Sequence, residues 1–170
     1  FMDEYRSETE DRPVPFSHLA TVAQTVGDDV ELAAEMLRRG GYGRAAEDRE
    51  KLARELGYAR NWAQRWAPEP VRFRLLSPEE SREEMERLEE DQRLYLAALS
   101  ERLEEGMGPE EIQDLLYETA HERGLKSKRA FAALYRVLLG KKSGPKAGPF
   151  IAALSVETVR ERLRAGARSL

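Results

Sequence analysis

Apolar residues recur at spacings of three and four through almost every segment of this chain, and no run of period two interrupts them. That pattern is the signature of helices with one buried stripe, so the sequence predicts an all-α fold without a sheet. Glycine and proline cut the pattern into pieces. Phe16, Leu19, Ala20, Ala23 and Val26 form a first stripe that stops at Gly27. Asp28 or Asp29 caps a second helix carrying Val30, Ala33, Ala34 and Leu37, which Gly40, Gly41 and Gly43 close. A third helix is expected from about Ala45 to Leu56, with Leu52 and Leu56 inward. Gly57 predicts a break, and a short fourth helix follows from Tyr58 to Trp66.

Residues 67–76 carry Pro68 and Pro70, which disfavour helix, so this stretch is expected to be an extended connector between two subdomains. Ser77-Pro78-Glu79-Glu80 is a helix start. Ser77 is the N-cap, Pro78 sits in the first turn and Glu80 completes a capping box. This helix is expected to reach about Glu105, with Met85, Leu88, Gln92, Tyr95, Leu96, Leu99 and Leu103 on one face. Gly108-Pro109 starts the next, which carries Ile112, Leu115, Leu116 and Thr119 to Gly124. Ser127 caps a helix from Lys128 to Leu139 with Phe131, Leu134, Tyr135 and Leu138 inward. A loop, Lys141 to Pro149, and a short apolar run, Phe150 to Leu154, precede a last helix capped by Ser155, with Val156, Val159 and Leu163 buried. The expected organisation is a polar leader (1–12), a helical connecting subdomain (13–70) and a second helical subdomain (77–170) packed together.

Composition narrows the function. Of 170 residues, 41% are hydrophobic and 35% charged, too apolar for a disordered tail and too charged for a membrane protein. No apolar run is long enough to span a bilayer. There is no cysteine, and the two histidines, His18 and His121, lie far apart, so a zinc site lacks ligands. No phosphate-binding Gly-x-x-x-x-Gly-Lys sequence, His-Glu-x-x-His or nucleophile elbow occurs. The carboxylates of residues 79–118 fall opposite good apolar faces and are expected to be solvated, and the histidines to serve packing or a helix end. No catalytic constellation or metal site is expected. The chain begins with Phe1, and its opening residues lack the charged start and apolar run of a signal peptide, so a piece of a longer cytoplasmic protein is expected.

The net charge of −4 hides an asymmetry. Residues 1–76 hold 12 basic and 14 acidic groups, residues 77–120 hold 4 and 15, and residues 121–170 hold 12 and 3. The last segment is therefore strongly positive, which suits an anionic partner. Five of the six lysines (Lys126, Lys128, Lys141, Lys142 and Lys146) lie within 21 residues, whereas the rest of the chain relies on arginine. Ammonium groups set this way can replace the counterions of phosphates. Arg129 and Arg136 lie in the same stretch. A second candidate is Arg60-Asn61-Trp62-Ala63-Gln64-Arg65-Trp66, whose two tryptophans share one helix face beside Arg60 and Arg65. Such groups suit the stacking of single-stranded bases, although tryptophans also anchor short helices into cores. The candidate RNA-binding set is thus Arg60, Trp62, Arg65, Trp66, Lys126, Lys128, Arg129, Arg136, Lys141, Lys142 and Lys146.

Ala133 to Gly140 followed by Ser143-Gly144-Pro145-Lys146-Ala147-Gly148-Pro149-Phe150-Ile151-Ala152-Ala153-Leu154 resembles the C-terminal end of class I lysyl-tRNA synthetases. The Val159 to Leu163 stretch looks like the helix that closes those enzymes. Val14-Pro15-Phe16-Ser17-His18-Leu19 and Gln24 are similar to the start of the family's helical region. The likeness covers about residues 12 to 166, with Gly-Pro-x-x-Gly-Pro-Phe its specific part. It implies that residues 77–170 are a helix-cage anticodon-binding domain and that the partner is tRNA(Lys), not DNA or a membrane. Lysine activation with ATP and Mg would belong to a catalytic Rossmann domain, whose His-x-Gly-His and Lys-Met-Ser-Lys-Ser signatures are absent here, so this chain alone is not expected to be catalytic or to hold a cofactor. Glutamyl-tRNA synthetases end in a looser Gly-x-x-x-Gly-Pro pattern, so the corresponding region of such an enzyme is an alternative. A stand-alone tRNA-binding regulator and a helical protein-interaction module working through residues 79–118 are others.

Overall fold

The stripe that begins at Phe16 forms helix α1, Phe16–Val26, in a computed structural model that describes residues 12–164. Helix α2, Val30–Arg39, starts where the Asp29 carboxylate accepts the Leu32 N–H at 3.0 Å. A short helix α3, Gly43–Glu47, follows, and α4, Arg49–Arg65, starts at Asp48, which accepts the Lys51 N–H at 3.1 Å. A 3-10 turn at Glu69–Val71 leads out. These elements form a first unit ending at Arg72, and a second unit begins at Phe73. The polar leader, except Arg12, lies outside the described residues.

Two expectations for the first unit are corrected. Gly43 opens α3 instead of closing α2. Gly57 does not break a helix, because α4 runs through it with Leu52, Leu56, Ala59 and Ala63 buried in one continuous stripe. A glycine inside a helix costs only about 1 kcal/mol, less than that burial returns. The core around it is fine-grained: Ala20, Ala23, Ala33, Ala34, Ala59 and Ala63 are almost wholly buried beside Val22, Leu37 and Leu52.

In the second unit Ser77 caps α5, Pro78–Glu86. Its hydroxyl accepts the Glu80 N–H at 3.2 Å, and Glu80 Oε1 accepts the Ser77 N–H at 3.1 Å, the expected capping box. The long helix expected to reach Glu105 is instead two, because the chain turns at Arg87–Glu89 before α6, Glu90–Arg102. Gln92 Oε1 accepts the Glu89 N–H at 3.3 Å and restarts the helix. The turn lets α5 lie against the later helix α8, Ser127–Leu139, while α6 packs against both α8 and α7, Pro109–Glu122. Helix α9, Ala147–Ala153, takes in part of the expected glycine-rich loop, and Ser155 caps α10, Val156–Arg164, through the Thr158 N–H at 3.1 Å.

Large side chains fill this unit: Tyr95, Leu96, Leu99, Ile112, Leu116, Leu134, Leu138, Phe150 and Ile151. Buried polar clamps cross between helices. The Ser81 hydroxyl donates to the Val137 carbonyl at 2.7 Å, and the Tyr95 hydroxyl donates to that of Leu116 at 3.1 Å. Among the described residues there is no strand, and the all-α expectation holds.

Candidate RNA interface

In the basic last third of the chain Arg129, Arg136, Arg160 and Arg162 are held by groups of the same chain, whereas Arg123 and Arg164 are exposed. Arg129, near the start of α8, donates to Asp91 and Glu89 at 2.5 Å each. The contact raises the Arg129 guanidinium and lowers the Asp91 carboxylate, chiefly through their hydrogen bond. Arg136 lies 3.7 Å from Glu84. Arg160 caps the end of α6, donating to the Ser100 carbonyl at 3.0 Å and to that of Leu103. Arg162 donates to the carbonyls of Leu76, at 2.7 Å, and Thr158, at 2.9 Å. A planar guanidinium with five fixed donors suits such bridging. Arg129 and Arg136, both in the candidate set, are thus engaged with carboxylates of their own chain.

The lysines are placed differently. Lys126, Lys128, Lys142 and Lys146 are exposed and form no ion pair with a described residue, whereas Lys141 is half-buried and has a partner. A hydrated ammonium on a flexible stem keeps its charge outward. The five do not form one cluster. Lys126 and Lys128 stand at the start of α8, and Lys141, Lys142 and Lys146 beyond its end, about 18 Å along a helix of this length.

The distal loop is fixed from below. Gly140 ends α8 in the left-handed region (φ 70°), which glycine adopts without strain. The Tyr135 hydroxyl donates to the Pro145 carbonyl at 2.6 Å. A Cβ on Gly144 would come within 2.7 Å of Leu139 and 2.9 Å of Tyr135, so the backbone lies flat on α8 there. The Gly148 N–H donates to Gln113 at 2.8 Å, and a Cβ on Gly148 would meet the Pro109 carbonyl at 2.4 Å. The glycines of the quoted motif therefore let this segment approach α7 and α8 closely, with Lys142 and Lys146 projecting outward.

In the first unit the two tryptophans separate. Trp62 is half-buried and meets Phe16 edge-on, with ring centroids 5.1 Å apart, so it closes the α1–α4 contact. Trp66 is 75% exposed at the end of α4, and Arg65 beside it is exposed. Arg60 pairs with Asp28. A groove of about 570 Å³ near this helix is lined by Pro13, Phe16, Arg44, Lys51 and Tyr58 among others, and none of the candidate residues lines it. The sequence reading missed the aromatics of α7 and α8. Phe131 and Tyr135, expected inward, are only half-buried, and Tyr117 is exposed. The signal was present in the spacing Lys128, Phe131, Tyr135, a stripe that begins with a charge.

Among the described residues no group of three or more metal-ligating side chains gathers, and no helix is long and apolar enough to cross a membrane. What remains is an all-helical unit with outward lysines on a glycine-fixed loop. Residues 67–167 match the family model described as an anticodon binding domain, a span that takes in every described residue of the second unit. The chain belongs to that family. Over 152 residues it is 42% identical to a lysine–tRNA ligase of Archaeoglobus fulgidus, covering 89% of this chain and 30% of that protein. The lysine–tRNA ligase of Methanopyrus kandleri is 39% identical over 166 residues, covering 89% and 29%. That of Thermoplasma acidophilum is 35% identical over 171 residues, covering 96% and 32%. The chain thus spans about 30% of the length of these curated relatives, and the resemblance read from the sequence is borne out.

Proposed function

We propose that the chain is the anticodon-binding C-terminal portion of a class I lysine–tRNA ligase and grips tRNA(Lys). Its lysines contact the phosphates of the anticodon arm. The observation that carries this reading is the pairing of the family match with the outward Lys142 and Lys146, which form no ion pair with a described residue, on a loop fixed by Tyr135 and Gly148. ATP and Mg, and the attachment of lysine, belong in this reading to a catalytic Rossmann domain outside the chain, in the cytoplasm. The relatives favour lysine over glutamate as the amino acid of the parent enzyme.

Salt tests the reading. Each phosphate neutralised adds roughly 0.7–0.9 to the slope of log affinity against log salt. Binding of tRNA(Lys) to the chain should therefore weaken steeply with salt. K142A/K146A should lower the slope by about 1.5 and weaken all tRNAs alike, because phosphate contacts carry no sequence information. Affinity indifferent to salt, or a double variant that binds as well as the parent, overturns it.

A further inference from the structure

Three aromatic side chains lie between the two groups of lysines. Tyr117 of α7 is 47% exposed, and its ring meets Phe131 of α8 edge-on, with centroids 5.0 Å apart and planes at 85°. An edge-on pair at a surface leaves ring face uncovered. Tyr135, one turn beyond Phe131, is tied to the loop through Pro145. Lys128 stands one turn before Phe131 on the same stripe, and Lys146 follows Pro145 directly. From Lys128 to Tyr135 the helix rises about 10 Å, close to three nucleotides at the roughly 3.4 Å per nucleotide of a stacked strand. Both lysines are exposed and unpaired among the described residues.

We propose that Tyr117 and Phe131 form a platform on which an unstacked RNA base lies, with Lys128 and Lys146 holding phosphates of the same strand a few nucleotides apart on either side of it. The inference rests on the reading of the chain as an anticodon binder and names where a base is held. Aromatic faces accept any base, and flanking ammonium groups bind the backbone that carries it. An apolar protein partner would use the rings but would have no use for a cation at each end.

The test uses the whole 170-residue chain, an anticodon stem-loop RNA with a UUU anticodon, and a continuous duplex of equal length. Y117L keeps an apolar side chain but removes the ring. It should weaken stem-loop binding roughly 5- to 150-fold, the worth of one stacked base, with the salt slope and duplex binding unchanged. Y117F, which keeps the ring, should bind as the parent does. In the parent, 2-aminopurine placed at each anticodon position in turn should be quenched at one of them on binding, a signal that needs no variant to fold. Equal stem-loop affinity for Y117L and parent, an equal loss on duplex RNA, or no quenching at any position overturns the platform while leaving the proposed function standing. A parent chain that binds neither RNA overturns the proposed function, and the platform with it.

Discussion

The first unit packs with alanine and the second with large side chains. In the first, the fully buried positions include Ala23, Ala33, Ala34, Ala46 and Ala59, and polar pairs such as Arg49–Glu31 and Arg60–Asp28 sit at the surface. Exposed pairs of this kind contribute about 0–1 kcal/mol each. In the second, Tyr95, Leu96, Leu99, Leu116 and Ile151 are wholly buried, and Ser81, Tyr95 and Arg162 bond carbonyls of other elements. Small residues bring helices close but bury little apolar area, whereas large ones bury much and must fit closely. The unit that carries the lysine-bearing loop is the one built with interlocking parts. The first unit can absorb change.

Two glycines put this difference to its hardest test. Gly148→Ala drives a Cβ into the Pro109 carbonyl, a backbone atom that cannot step aside, and should cost about 3 kcal/mol. Gly57→Ala, inside α4 where, beyond the local helix backbone, the new Cβ meets no described atom within 4 Å, should stabilise by about 0.5–1 kcal/mol. Both tryptophans lie in the first unit, so their fluorescence follows that unit while circular dichroism follows both. In urea, G148A should shift the dichroism transition and leave the fluorescence transition in place, and G57A should raise the fluorescence midpoint. A G148A protein whose two signals shift together would show the units unfolding as one and break the comparison.

The same glycines show what the chain discloses before folding. The stripes of α1, α2 and α10, and the Ser77–Glu80 capping box, were visible because periodicity and caps are local. Gly57 misled because a helix breaker is weighed against burial that only the folded core supplies. The turn at Arg87–Glu89 was hidden for the opposite reason: no glycine or proline marks it, and Met85, Leu88 and Gln92 continue the helical spacing. At the candidate interface, sequence counts charges but not their partners. Arg129 and Lys128 are neighbours and look equivalent, yet one is held by Asp91 and Glu89 and the other stands free of ion pairs among the described residues. Tyr117 and Phe131 meet across two helices, a proximity that no local pattern encodes.

A smaller effect separates the two tryptophans inside the adaptable unit. Trp62→Ala removes the ring that closes on Phe16 and should cost about 2 kcal/mol, less than a fully buried tryptophan would. Trp66→Ala, at an exposed helix end, should change stability by less than about 0.5 kcal/mol. Each variant keeps one tryptophan as its own reporter of urea unfolding. If W66A costs as much as W62A, the exposed ring is structural and its place among candidate RNA contacts is lost.

Acid should separate the units most gently. In the second unit the Glu80 carboxylate is lowered to about 2, first by its hydrogen bond from Arg74 and then by the Ser77 N–H. An unfolded glutamate titrates near 4.3. The folded chain thus binds its proton later than the unfolded chain does, so this contribution is complete above about pH 4.3 and is lost as pH falls through about 2. In the first unit burial lowers the His18 imidazole, whose Nε2 has no hydrogen-bond partner among the described residues. The unfolded chain then takes the proton first, near 6.5, and stability declines as pH falls below that value. The fluorescence-detected melting temperature should therefore begin to drop below about pH 6.5, ahead of any change from Glu80. Against an E80Q variant, which keeps the cap but loses the charge, the dichroism-detected melting temperature of the parent should hold a constant margin down to about pH 5 and lose it by about pH 2. Because Arg74 and Glu80 are both solvent-accessible, salt should narrow that margin at neutral pH as well. A margin that persists undiminished at pH 2 would show that Glu80 acts through its shape alone, and the acid sensitivity of the second unit would then rest with Asp91, whose carboxylate the hydrogen bond from Arg129 lowers.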